Sequence, residues 1–207
     1  MKTLFIPAKS KSEVDKSKIK EISKKLPKNI GIVYSVQYEK QAKEINEILS
    51  REHIITQFKQ ILGCSSPKFQ RTQAVLLIGD GKFHALSLAY ETKLPIYIYN
   101  NKALDKISKE ELDRFEKKQK SSYVNFLNSK KVGIIVSTKP GQQNLKKALD
   151  LKEKIKNKES YLFMADNINV NEFENFPEIQ SWINTACLRM DMNSNKIINW
   201  GKLDFSN

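Results

Sequence analysis

Ala74-Val75-Leu76-Leu77-Ile78-Gly79-Asp80-Gly81-Lys82-Phe83-His84 is the stretch whose reading decides the fold. Its first five residues are uniformly apolar and too few for a typical helix, which is the pattern of a strand buried on both faces. Gly79 and Gly81 then supply a turn that tolerates positive φ, and His84 opens the next helical segment. A buried strand running through a glycine turn into a helix is part of a parallel crossover unit. The glycines do not form a GxGxxG fingerprint, so the turn by itself does not define a nucleotide site.

Working outward, three more short apolar runs occupy the first half: Thr3–Pro7, Ile30–Val36 and Ile54–Gln57. Between the first pair lies VDKSKIKEISKKL, and between the second pair QAKEINEILSREH, both with apolar positions at helical spacing. The second half repeats the plan with runs at Pro95–Tyr99, Val132–Ser137, Tyr161–Met164 and Gln180–Asn184, the first three separated by KEELDRFEKKQKSSYVNFLN and QQNLKKALDLKEKIKNK. The expected fold is α/β, with two pseudo-repeated domains, each a four-stranded parallel sheet with flanking helices. The boundary falls near Leu86–Leu94, giving domains of residues 1–90 and 91–207.

The chain has 207 residues and a net charge of +13, from 36 Lys plus Arg against 23 Asp plus Glu. Its lysines cluster in segments such as KSKSEVDKSKIK and KKALDLKEKIKNK, which read as solvated helix faces and would attract RNA without specificity. An RNP-type aromatic signature and zinc-finger spacing are both missing, so composition does not point to a specific nucleic-acid partner. No run approaches the roughly 20 apolar residues that span a bilayer, and the N-terminus turns polar too early for a secretory signal. The cytoplasm is the expected compartment. Cys64 and Cys187 are 123 positions apart. In a chain without an export signal that spacing argues against a structural disulfide and leaves metal or redox chemistry beside inert buried thiols.

In open parallel sheets ligands gather beyond the carboxyl ends of the strands. Polar loops fall there after Ile78, Val136 and Asn184, and Cys187 sits in the last of them. Ser137-Thr138-Lys139-Pro140-Gly141-Gln142-Gln143-Asn144 ends a strand and opens a helix, offering hydroxyls, backbone N–H groups and a lysine to a carboxylate or phosphate, or ordinary capping. Asp80 either accepts a hydrogen bond from a ligand or caps the helix after it. His84 belongs to the same pocket or simply starts that helix, whereas His53 reads as a surface or cap residue.

Taken in order, Ile61-Leu62-Gly63-Cys64-Ser65, Leu77–His84, Val136–Gln142 and Asn184-Thr185-Ala186-Cys187-Leu188-Arg189 resemble successive motifs of the archaeal diphthamide synthase family. The resemblance runs from about Thr3 to Asn199-Trp200 and corresponds to the second and third of the family's three domains. It implies a non-classical radical S-adenosylmethionine enzyme in which three cysteines, one per domain, hold a 4Fe-4S cluster. The cofactor's 3-amino-3-carboxypropyl group is transferred to a histidine of translation elongation factor 2, the first step toward diphthamide. Residue by residue, Cys64 and Cys187 match cluster thiolates, and Gly79, Asp80, His84, Thr138 and Gln142 fall on motifs near S-adenosylmethionine.

The chain also departs from the family pattern. It lacks a third cysteine, so the resemblance implies a companion chain that supplies the N-terminal domain and the missing thiolate, in a homo- or heterodimeric assembly. Leu188 stands where the family has proline, and Tyr97-Ile98-Tyr99-Asn100-Asn101 lacks the family's arginine and acid. Two other readings stay open: a non-catalytic supporting subunit of the same complex, and a basic RNA-associated protein.

Overall fold

The computed structural model describes residues 4, 6, 8–62, 67–100, 103–188, 190 and 194–203. The chain forms two compact units, Met1–Phe115 and Glu116–Asn207.

The first unit opens with α1 (Lys16–Ser23), whose N-terminus Asp15 caps by accepting hydrogen bonds from the backbone N–H groups of Ser17 and Lys18. Then come β1 (Asn29–Tyr34), α2 (Glu39–Leu49), β2 (Ile54–Gln60), β3 (Ala74–Ile78), α3 (Lys82–Thr92), β4 (Ile96–Tyr99) and β5 (Leu104–Lys106). The sheet order is β2-β1-β3-β4-β5, parallel throughout except for β5, which pairs antiparallel with β4. Alternation along β1 divides the core: Ile30, Ile32 and Tyr34 pack under α1 and α2 with Ile19, Ile45 and Leu49. Val33 faces the other way, with Leu77, Ile98 and the α3 residues Ala85 and Leu88.

The second unit contains β6 (Lys131–Ser137), α5 (Leu145–Lys154), β7 (Glu159–Ala165), β8 (Ser181–Asn184) and β9 (Ile197–Asn199), ordered β7-β6-β8-β9 and all parallel. Helix α4 (Lys109–Asn128) contributes Phe115 to the first unit and packs Phe126 under the second sheet. Val132, Ile134 and Val136 meet α5 through Ala148 and Leu151. On the opposite face Ile135 and Trp182 are covered by Phe163, Phe173 and a 3-10 turn at Val170–Asn175. That is the face on which α3 lies in the first unit.

The orders 2-1-3-4 and 7-6-8-9 are the same path traced twice, so the expected pair of repeated parallel sheets is present. Three sequence expectations about the strands differ from the structure. Leu4 and Ile6, from the Thr3–Pro7 run, belong to no strand and are 82% and 79% exposed; the other three residues lie outside the described ones. Ile96–Tyr99, read as opening the second repeat, pairs with β3 and completes the first sheet. The strand that completes the second sheet is Ile197–Asn199, which the sequence reading left unassigned. Apolar runs report burial, but not which sheet a strand joins; the crossover through α3 decides that for β4.

Repetition extends to single positions. Gly31 and Gly133 are each the third residue of the central strand, and both permit close approach. A Cβ on Gly31 would come within 2.7 Å of the Phe69 ring, and one on Gly133 within 2.5 Å of the Trp182 ring. Among the described residues, no helix is long and apolar enough to cross a membrane.

Candidate functional site

In a 2-1-3-4 sheet the chain leaves β1 toward β2 on one side and returns to β3 on the other. The loops after β1 and β3 therefore diverge and leave a crevice at the carboxyl edge, the topological switch point. In the first unit these loops are Ser35–Tyr38 and Gly79–Gly81. Gly79 gives the closeness between them, since a Cβ there would lie 3.0 Å from Ser35 Oγ. Gly81, at φ +84°, turns the chain into α3. Asp80 is exposed, and its carboxylate accepts a short hydrogen bond from the Tyr38 hydroxyl. Burial, followed by the hydrogen bond to Asp80, pushes the Tyr38 phenol up to about 12, so it remains a donor at neutral pH.

Ser35 Oγ and the Tyr99 hydroxyl, at the carboxyl ends of β1 and β4, are buried without a hydrogen-bond partner among the described residues. Unpaired buried hydroxyls are costly, and they mark polar capacity that a bound group can meet. His84 is the third residue of α3, half-buried, with its ring 5.4 Å from that of Phe83. Gly79, Asp80 and His84 thus share one strand-to-helix connection. Cys64 lies outside the described residues; Ile61 and Leu62, just before it, leave β2 at the same carboxyl edge. His53 is a structural residue: its Nε2 lies 2.7 Å from Ser23 Oγ and its Nδ1 2.8 Å from the Pro27 carbonyl.

The second unit's switch point lies between Ser137–Gly141 and Thr185–Cys187. The Cys187 thiol is unpaired and exposed. The backbone beneath it is fixed: the Asn184 side-chain amide donates to the Cys187 carbonyl at 2.7 Å and to Asn199 Oδ1 at 2.6 Å, and Asn199 donates to the Leu188 carbonyl at 3.0 Å. The carbonyls flanking the Leu188 peptide are therefore held without the family's proline. Thr185 donates to the Ile135 carbonyl at 2.7 Å, and Asn144 donates to the Thr185 carbonyl at 2.7 Å. Because Asn144 also reaches the Gln142 carbonyl at 3.4 Å, it ties the loop bearing Thr138 and Gln142 to the loop bearing Cys187. Thr138 is exposed, and Gly141, at φ +80°, closes the turn.

Register reveals an equivalence that sequence reasoning missed. Ile30 pairs with Ala74 in the first sheet and Val132 with Ser181 in the second. Counting forward along β3 and β8, Asp80 occupies in the first unit the place that Cys187 occupies in the second. Tyr99 and Trp200 correspond in the same way through Val75–Ile96 and Trp182–Ile197. Lys147 sits 3.3 Å above the Trp200 ring centroid, bringing a cation to that strand end. The long-range pairings of Tyr38 with Asp80, Asn144 with Thr185 and Asn199 with Leu188 carried no sequence signal, because each joins residues apart in the chain. Among the described residues, no group of three or more His, Cys, Asp or Glu is placed to hold a metal ion.

Two largely parallel sheets built on one path, each with polar loops flanking its switch point and one exposing a thiol there, define a repeated-domain α/β protein. The chain belongs to the diphthamide synthesis family, whose model, described as "Putative diphthamide synthesis protein", matches residues 1–197. It is 33% identical over 205 residues to the 2-(3-amino-3-carboxypropyl)histidine synthase of Methanocaldococcus jannaschii, covering 92% of this chain and 56% of that protein. The same enzyme of Pyrococcus horikoshii is 31% identical over 208 residues, covering 92% of this chain and 59% of its own length. Among solved structures, Dph2 from Pyrococcus horikoshii superposes with a TM-score of 0.75 at 28% identity, covering 89% of this chain and 58% of that one. A second structure of Dph2 from Pyrococcus horikoshii, with a 4Fe-4S cluster, superposes with a TM-score of 0.73. The chain therefore spans somewhat over half the length of the curated relatives it matches.

Proposed function

We propose that this chain is a component of a 3-amino-3-carboxypropyl transferase, acting in the cytoplasm on a histidine of translation elongation factor 2 with S-adenosylmethionine as donor. Its two units, Met1–Phe115 and Glu116–Asn207, stand for the second and third domains of the family's enzyme. The observation that carries the reading is Cys187: an exposed thiol at a switch point, on a backbone fixed by Asn184 and Asn199, in a chain whose solved relative carries a 4Fe-4S cluster.

The donor set fits such a cluster in part. Cys187 would hold one iron, and Cys64, which lies outside the described residues, would hold a second. A third thiolate would come from a companion chain. A cluster held there would supply the electron that cleaves the sulfonium of S-adenosylmethionine. The chain's own residues bind and orient that cofactor. Asp80, aligned by Tyr38, accepts from its ammonium group. Thr138 and the backbone N–H groups of the loop containing Gly141 and Gln142 donate to its carboxylate. His84, on the same strand-to-helix connection as Asp80, would add a polar ring to the first unit's share of these contacts.

Anaerobic reconstitution with iron and sulfide tests this, with iron and acid-labile sulfide counted per chain. Little incorporation is expected for this chain alone and a full complement with the companion, and Cys64→Ala or Cys187→Ala should abolish both the cluster and the modification. Stoichiometric incorporation by the isolated chain would remove the need for the companion. Modification that survives both substitutions would instead assign the chain a non-catalytic supporting role.

A further inference from the structure

The chain's positive charge is unevenly distributed. From Glu159 to Leu188 there are five carboxylates, at positions 159, 166, 172, 174 and 178, and no lysine or arginine, in a chain whose net charge is +13. Asp166, Glu172, Glu174 and Glu178 are exposed, and none of these four forms a salt bridge among the described residues.

The same span supplies most of the lining of an apolar opening. On the face of the second sheet that carries Ile135 and Trp182, a cavity of about 180 Å³ is lined by Phe163, Ile168, Phe173 and Phe176, with Glu172 and Asn169 at its polar side. Its walls are well fixed. Phe173 stacks on Trp182 at 4.1 Å between centroids, and Phe163 meets Trp182 edge-on at 4.7 Å. Phe176 is 37% exposed and Met164 52% exposed, so apolar surface reaches solvent beside the carboxylates. The volume lies below the roughly 300–1,000 Å³ that drug-sized ligands occupy, and it suits one large apolar side chain. β7, which brings Phe163 and Met164, is the edge strand of its sheet.

We infer that this face is a docking surface for a basic protein segment that inserts one bulky apolar side chain into the cavity and sets lysines or arginines against the surrounding carboxylates. Charge complementarity selects the partner. An unpaired acidic rim on an otherwise basic chain attracts cations locally and repels RNA, which the remaining surface would attract. A rigid aromatic pocket with a charged rim is also the arrangement in which a single buried anchor carries most of the binding energy. The inference rests on the second unit alone and does not depend on a cluster being held.

Fluorescence anisotropy of short dye-labelled peptides on the intact chain tests it. The probes are Lys-Lys-Leu-Phe-Lys-Lys, its glutamate counterpart Glu-Glu-Leu-Phe-Glu-Glu, and Lys-Lys-Gly-Ser-Lys-Lys without the anchor. Because the whole chain repels cations, binding of the first probe reports this face. It should bind at least ~10-fold more tightly than either control, weakening with added salt. The exposed-site variant Glu172→Lys/Glu174→Lys/Glu178→Lys should abolish binding, and Phe176→Ala should weaken it ~10-fold, as expected for loss of an anchor contact. Absence of binding by the first probe, equal binding of the anchorless probe, or binding unchanged in the triple variant would each overturn the inference. Sedimentation that shows the triple variant dissolving a self-association of the chain would also overturn it, by giving the face to a second copy.

Discussion

Tyr38 and Asp80 are 42 positions apart, yet the phenol of one fixes the carboxylate of the other at the first unit's switch point. Burial and the neighbouring carboxylate both favour the protonated phenol, and this has a consequence for stability. Unfolded tyrosine titrates near 10, whereas folded Tyr38 holds its proton to about 12. The extra proton affinity stabilises the fold fully below the unfolded value and is lost as pH rises through the folded one. Urea midpoints measured at pH about 9 and about 11 should therefore fall for the wild type, and fall less for Tyr38→Phe. Part of the slope persists in the variant because burial also raises Tyr99. In the transferase reading, Tyr38→Phe also loosens Asp80, so the KM for S-adenosylmethionine rises more than kcat falls. The Cys187 side depends on neutral groups instead: two asparagines hold its carbonyl neighbourhood, and leaving either amide unpaired while buried costs about 1–3 kcal/mol.

At the level of elements, the central strands β1 and β6 each carry a glycine at the same step for the same reason, but what presses on it differs. Gly31 receives Phe69 from the connection between β2 and β3, whereas Gly133 receives Trp182 from the neighbouring strand β8. Trp182 is 1% exposed and is held by three phenylalanines, so it has little room to retreat. Gly133→Ala should destabilise the second unit by about 1–3 kcal/mol through overpacking. Gly201→Ala, with nothing within 4 Å of the added methyl, should stay within about 0.5 kcal/mol. The chain's two tryptophans, Trp182 and Trp200, both belong to the second unit, so urea unfolding followed by tryptophan fluorescence reads that unit directly. A Gly133→Ala midpoint equal to that of Gly201→Ala would contradict the packing account.

For the whole molecule, the net charge of +13 and the acidic span at Glu159–Leu188 act together: mixed-sequence RNA should bind without sequence preference and release steeply as salt rises. Nitrocellulose filter binding at two salt concentrations checks this, and affinity that holds at high salt would point to a specific RNA site instead. Much of the architecture was legible beforehand, because continuous apolar runs separated by helical periodicity admit little besides parallel strands with crossovers. The Cys187 and Asp80 loops were legible too, since they follow buried strands and carry glycine and polar residues where strands end. What the sequence by itself determined is therefore local: element type, the α/β class, the repeated plan, and the chemistry available at the strand ends. Tertiary structure alone decided that Ile96–Tyr99 completes the first sheet and Ile197–Asn199 the second, that Asp80 and Cys187 share a register position, and that Tyr38, Asn144 and Asn199 position them. Those outcomes depend on contacts between residues distant in the chain, whose partners are set by sheet order and packing and leave no periodic trace along the sequence.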